Sequence, residues 1–406
     1  MAILEGMQIQ NFRALKNVTF GKTFDNSAEV LPRLMAVIGA NGSGKSSLMD
    51  ALGFIGDCLT EGVQAACDKP NRGGLDRLRT QGTTGPIGFE VRYRQHSDAR
   101  PISYSLHIDN DARGRTVVVH ERLRQRRSGQ STGQPYSFLE ITNGQGSVWG
   151  GEATANAEGN RRDDIKMSDR QVLGISTLGT LADHPRIAAF RSFLSGWYLS
   201  YFVPHSARGQ PIAGAEPHLD RTGENLAKYL QFIHREHPAS FKAMLERIAT
   251  KIPGVQRIEP VSAQDKRLLL EFHAEGYNEP FFQQDMSDGT LKMLAYMLLM
   301  EDPDPPPLVG IEEPENGLHH QLLAQLASEF KEFARKKGGP QVLITTHAPN
   351  FVDALAPGEV WILEKGVDGF SQMTRAADLK GVQEMFAEGI TMGSLWYSNH
   401  FGIGNP

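Results

Sequence analysis

Cysteine is scarce in this chain of 406 residues: Cys58 and Cys67 are the only two, nine positions apart and outside any CxxC spacing. Neither a disulfide framework nor a cysteine zinc site is expected, and a reducing cytoplasm fits. An excess of positive charge is also missing, since the net charge is −5. Contact with DNA or RNA must therefore come from a local basic patch. Long apolar runs are absent too. The most apolar stretch, Leu291 to Met300, is about half the length a bilayer needs and contains Lys292, so no membrane span is expected. No basic segment followed by an apolar one opens the chain, and no secretory leader is expected. Without a fixed-period repeat or heptads, long arms are not expected either. What remains is ordinary globular composition, 40% hydrophobic and 22% charged, with room for one large or two medium cores.

Against that background one stretch stands out, Gly39 to Ser46, reading G-A-N-G-S-G-K-S after the apolar run Leu34 to Ile38. A buried strand, a glycine-rich turn and a helix start in that order make a phosphate-binding loop, because backbone N–H groups and the positive helix end converge on one concavity. Gly39, Gly42 and Gly44 let the main chain curl close to an anion, with Asn41, Ser43 and Ser47 in the same cradle. Lys45 is placed to reach the β and γ phosphates, and the Ser46 hydroxyl to hold Mg²⁺. An Asn-Lys-x-Asp motif that would read guanine is not present.

Before this loop, Met7 to Phe12 and Asn17 to Phe20 alternate as two strands around a turn at Arg13 to Lys16. After it come strand-like runs at 87–93, 102–108, 116–122 and 136–141, predicting an antiparallel sheet. Six arginines lie between Arg113 and Arg127 against one acid, Glu121, in a polar, glycine-rich region that extends to about Arg162. A solvated strand edge with a mobile loop explains this, as does contact with a nucleic-acid backbone. A helix capped by Thr222, with Leu226, Tyr229, Leu230 and Ile233 on its apolar side, precedes a second from Ala239 to Ile252. Arg267 to Phe272 reads as a strand.

The second chemical cluster begins at Ser287-Asp288-Gly289-Thr290. Ser287 suits a helix cap, but a cap gives no reason for Gly289, whereas a backbone N–H approaching a phosphate does. Next, Leu308 to Ile311 reads as a short strand that ends in Glu312 and Glu313, with Pro314 blocking further pairing. A strand ending in an acid is how phosphate-loop ATPases place a carboxylate near Mg²⁺. Glu312 is the expected metal-side acid, and Glu313, projecting the other way along an extended chain, the expected general base. Gln341 to His347 is a buried parallel-type strand, and His347 at its end is read as a γ-phosphate contact. Lys45 and Glu312 are 267 positions apart, so the sheet must be assembled from two distant halves of the chain.

Phosphate loop, S-D-G-T, I-E-E-P-E-N-G-L-H and T-T-H, in that order, resemble the RecF/SMC-like branch of ABC-type ATPases. More narrowly they resemble stand-alone bacterial ATPases of the AAA-ATPase-like group related to OLD and abortive-infection proteins; Asn11-Phe12-Arg13 and Met392 to Tyr397 fit as well. The resemblance implies an α/β phosphate-loop NTPase fold with a mixed or parallel central sheet, an antiparallel β subdomain and a helical insertion. The divisions it suggests are an N-terminal lobe over 1–185 with a mobile loop at about 110–170, an insertion over 186–265, and a C-terminal lobe over 266–406. It further implies ATP and Mg²⁺ as cofactors and a head-to-tail homodimer or higher oligomer. Ser287 and Gly289 of one copy would then meet the γ-phosphate held by Lys45 and Ser46 of the other, with Asn316 and His319 at the interface and Arg13 as a further nucleotide contact.

Two departures matter. S-D-G-T replaces the transporter L-S-G-G-Q, and Glu312 replaces the commoner Asp. Gln81 and Gln171 are candidates for the glutamine that touches Mg²⁺ in this class. Only 59 residues follow His347, and the Asp302-Pro303-Asp304 pair lies in a proline loop, so a TOPRIM-like nuclease or other toxic effector is expected to act as a separate protein. The resemblance leaves two roles, a sensor controlling that effector in phage defence, or a RecF-like DNA-binding ATPase in repair or chromosome maintenance.

Overall fold

The computed structural model describes residues 2–130, 132–152, 154, 157–209, 214–264 and 268–402. Two sheets organise it. The central one has six strands in the order Tyr198–Ser200, Leu308–Glu312, Gln341–Thr346, Leu34–Ile38, Val360–Lys365 and Ser371–Arg375, parallel except for the last. Its middle strands read as unbroken apolar runs because both faces are covered. Met35 and Val37 face the core shared with the Lys45–Glu61 helix. Leu34, Ala36 and Ile38 face the core shared with the helices Asp288–Met300 and His320–Arg335. The phosphate-loop strand thus lies between two strands from the far end of the chain, as the spacing required.

The second sheet is antiparallel and has eight strands, ordered Leu15–Gly21, Ile3–Phe12, Ile87–Arg94, Ile102–Asn110, Thr116–Gln125, Tyr136–Thr142, Gln145–Gly150 and Arg161–Lys166. Much of the region expected as a mobile loop, 110–170, is therefore sheet. Arg161–Lys166 has no buried residue and is held by backbone pairing to Gln145–Gly150, so hydrophobic alternation could not reveal it. The first turn is tighter than expected, with strand structure resuming at Leu15 after Arg13 and Ala14, both needed to reverse the chain. Gln341 joins the two sheets: its buried side-chain amide accepts from Leu4 N at 2.9 Å and donates to the carbonyls of Leu4 and Pro32, both at 3.0 Å.

The segment 186–265 carries the helices Leu226–Glu236 and Pro238–Ala249, with Leu226, Tyr229, Leu230 and Ile233 buried as periodicity predicts. Thr222 does not cap the first of them. The helix begins at Leu226, and the Asp220 carboxylate collects the N–H groups of Thr222, Gly223, Glu224 and Asn225 instead. A carboxylate accepts several donors at once and outcompetes a single hydroxyl. Of the strand expected at Arg267 to Phe272, Arg267 lies outside the described residues, and Leu268–Ala274 pairs with Val255–Ser262. No helix among the described residues is long and apolar enough to cross a membrane.

Candidate nucleotide site

The loop after Ile38 is shaped by its glycines. Gly42 and Gly44 adopt φ of 78° and 110°, and a Cβ on Gly39 would collide with the Leu363 carbonyl of the adjacent strand. Ser371 Oγ, from the strand at the sheet edge, donates to the Ser43 carbonyl at 2.6 Å and pins the loop from outside. Ser43 Oγ itself is buried without a hydrogen-bond partner among the described residues. Such an orphan hydroxyl in the glycine-rich turn lacks a partner that a bound phosphate group would supply. Asn41 is exposed at the tip, and Ser46 and Ser47 open the Lys45–Glu61 helix. Lys45 is buried and donates to the carbonyls of Gly39 at 2.8 Å and Ala40 at 3.2 Å. Burial lowers its pKa, while Glu313, Glu315 and Glu312 act in the opposite direction.

Glu312 ends its strand beside the helix start and accepts a hydrogen bond from the Ser46 hydroxyl. Burial raises its pKa; the Ser46 bond opposes this and the neighbouring Glu313 adds to it. Two hard oxygen ligands already in contact, in a pocket with more carboxylates than cations, fit Mg²⁺. Glu313 does not project by strand alternation as expected. The strand stops at Glu312, and Glu313 takes a left-handed φ of 44°, costly for a residue with a Cβ. Its N–H donates to Thr345 O at 2.9 Å, and its carboxylate accepts from Asn316 Nδ2 at 2.8 Å and lies 3.1 Å from His347 Nε2. His347 Nδ1 is 3.5 Å from Lys45 Nζ, and the His347 N–H donates to the Glu315 carboxylate. Lys45, Ser46, Glu312, Glu313, Asn316 and His347 are thus brought together from three strand ends.

Ser287 caps the Asp288–Met300 helix by accepting from Thr290 N at 3.1 Å. Gly289 has a further reason to be glycine: a Cβ there would lie 3.0 Å from the Gly317 carbonyl. Ser287, Gly289, Gly317 and His319 border one cavity of about 480 Å³. Arg13, with φ of 50°, is committed to Asp50 at 3.0 Å and to the Asn71 carbonyl at 2.9 Å, placing it beside the second turn of the phosphate-loop helix. Gln171 lies at the wrong end of that helix, its carbonyl accepting from Val63 N beyond the C-terminal Gly62. Seventeen residues of helix put it roughly 25 Å from the loop. Gln81 is exposed next to Thr80, whose N–H bonds Asn11 O, near Arg13.

Sequence reading missed Lys292. It lies one turn into the helix capped by Ser287, is buried, and donates to Glu313 O at 3.3 Å and Asn316 O at 2.8 Å. Burial lowers its pKa against the opposing effect of Glu315 and Glu313. A charged residue in an otherwise apolar helix is the only sequence signal, and it does not identify the carbonyl partners.

A family model described as "AAA domain, putative AbiEii toxin, Type IV TA system" matches residues 34–353, from the first residue of the phosphate-loop strand to beyond His347. Among solved structures, the SmcHead bound to the C-winged helix domain of ScpA is 14% identical, covering 91% of this chain and 97% of that chain with a TM-score of 0.52. The Smc head domain with an extended coiled coil bound to the C-terminal domain of ScpA, from Pyrococcus furiosus, is 13% identical, covering 92% and 96% with a TM-score of 0.52. No curated protein matches. The chain belongs to this AAA-domain family, and its fold is that of the SMC head domains.

Proposed function

We propose that this ATPase hydrolyses ATP with Mg²⁺ between two copies arranged head to tail, and that the cycle controls a separate effector, a TOPRIM-like nuclease or other toxin, in a phage-defence setting. The observation that carries the reading is the hold on Glu313: Asn316 and His347 grip its two oxygens while the main chain is turned left-handed. A carboxylate so oriented has lone pairs left to take a proton from a water. Lys45 exchanges its two carbonyl partners for phosphate oxygens, and Ser46 with Glu312 would hold Mg²⁺, which supplies charge neutralisation. Ser287 and Gly289 serve the partner copy's γ-phosphate, and Asn316 and His319 lie at the shared face. The family's description as a toxin of a type IV toxin–antitoxin system supports the defence setting, and the two SMC heads, each bound to a domain of ScpA, support a separate partner protein.

The test is the mass of the Glu313→Gln protein with and without ATP and Mg²⁺. It should retain ATP, form a dimer and release phosphate at least roughly a hundredfold more slowly than wild type. A variant that turns over normally, or that stays monomeric with ATP bound, contradicts the reading.

A further inference from the structure

The outer face of the eight-stranded sheet holds a second constellation, remote in sequence from the phosphate loop. Arg92 and Arg124 are each paired in register with Ser103, one from either side, so the three residues form a row across neighbouring strands. Two strand spacings put the arginine backbones roughly 10 Å apart, with both side chains on one face. Arg100 and Arg126 stand beside them, and Phe24, in the loop after the Leu15–Gly21 strand, folds over the row. Together these residues border a cavity of about 150 Å³.

The charges of this cavity are unevenly satisfied. Arg92 Nε donates to the Glu5 carboxylate, which it shares with Arg94, and Arg100 shares Glu158 with Arg127. Among the described residues no carboxylate lies within ion-pair distance of Arg124; Glu90, Asp25 and Glu140 act on it only from further away. Its guanidinium lies 4.2 Å from the centre of the Phe24 ring, and its Nε is buried without a hydrogen-bond partner among the described residues. Stacking on a ring leaves the in-plane N–H donors of a guanidinium unused. Burial and the neighbouring Arg122 push its pKa down, against the opposing effect of Glu90, Asp25 and Glu140. Orphaned buried donors of this kind call for an explanation, and a planar fork next to a second arginine matches the oxygens of a phosphate group.

We propose that this cavity is an anion site for a single phosphate group, gripped by Arg124 with Arg92 beside it and Phe24 stacked behind. The cavity admits one phosphate and some water but not a nucleoside. The phosphate is therefore either free in solution or one unit of a nucleic-acid backbone laid across the sheet. A protein of net charge −5 attracts neither in general, so binding depends on this cluster.

The experiment uses the full-length chain carrying Lys45→Ala, which removes the phosphate loop's contribution, with and without Arg124→Gln. One arm titrates inorganic phosphate by calorimetry; the other measures anisotropy of a labelled 20-base-pair DNA duplex at low salt. Saturable phosphate binding, weakened at least roughly tenfold by Arg124→Gln, is the expected result. If the duplex also binds, loses affinity on the same substitution and is displaced by phosphate, the source is a nucleic-acid backbone. If only phosphate binds, the source is the free ion. ATP turnover of Arg124→Gln in the otherwise wild-type chain should be unchanged, which controls for misfolding, and Arg124→Lys should restore part of the affinity. Absence of binding in both arms for the Lys45→Ala protein, or equal binding with and without Arg124, overturns the proposal.

Discussion

His347 Nε2 lies 3.1 Å from Glu313 Oε1, joining residues that directly follow two neighbouring parallel strands. The same ring turns its Nδ1 towards Lys45 Nζ at 3.5 Å. One imidazole therefore stands between the phosphate-loop cation and the expected general base, and can report the state of one to the other by hydrogen bonding.

Replacing His347 with alanine removes one of the two groups that orient Glu313 while leaving the phosphate loop intact. Turnover should fall roughly 10- to 100-fold, with little change in ATP affinity. Single-turnover phosphate release alongside equilibrium ATP binding measures both quantities. Loss of affinity with unchanged turnover would assign His347 to binding alone.

Lys292→Met keeps most of the apolar stem of the side chain and deletes the donor to the Glu313 and Asn316 carbonyls. Two acceptors lose their partner at a cost of about 1–3 kcal/mol, and the left-handed Glu313 loses a main-chain restraint. Melting should move down by several degrees. Turnover should fall by roughly tenfold beyond what ATP occupancy explains, measured with saturating ATP below the new melting point.

Gly289→Ala tests the tight approach of the Asp288–Met300 helix to the Gly317 carbonyl. The added methyl meets that oxygen at 3.0 Å and must displace the Asn316–His319 turn slightly, while alanine gains up to about 1 kcal/mol of helix propensity. Monomer stability should change little, and ATP-driven self-association should weaken at least roughly tenfold. Thermal melting, and molar mass by light scattering with ATP, separate the two effects.

Gln341→Ala should destabilise the fold by about 2–4 kcal/mol, because three backbone groups, Leu4 N, Leu4 O and Pro32 O, lose their partner at once. Denaturant unfolding of the variant checks this. The affected contacts join the two sheets, so the transition should also lose cooperativity.

Much of the central sheet was legible because strands covered on both faces are written as apolar runs, as in Leu34–Ile38 and Gln341–Thr346. Glycine and lysine spacing at the phosphate loop was legible because anion binding restricts both backbone and charge. Strands such as Arg161–Lys166 were not, since backbone pairing leaves no trace in side-chain hydrophobicity. The left-handed Glu313 broke the alternation that a strand would impose, and its cause, a set of bonds from Thr345, Asn316, His347 and Lys292, is tertiary. Gly289 illustrates a subtler limit: it was read as room for a phosphate, whereas the contact that limits its side chain in the structure is the Gly317 carbonyl, a tertiary neighbour with no sequence signal.

The most direct test of the head-to-tail account mixes two inactive proteins, one carrying Lys45→Ala and the other Ser287→Arg. If each site takes its phosphate loop from one copy and its Ser287 from the other, mixed dimers contain one intact site. An equal mixture should then recover about a quarter of wild-type ATP turnover. A mixture no more active than its two components would contradict a site shared between copies.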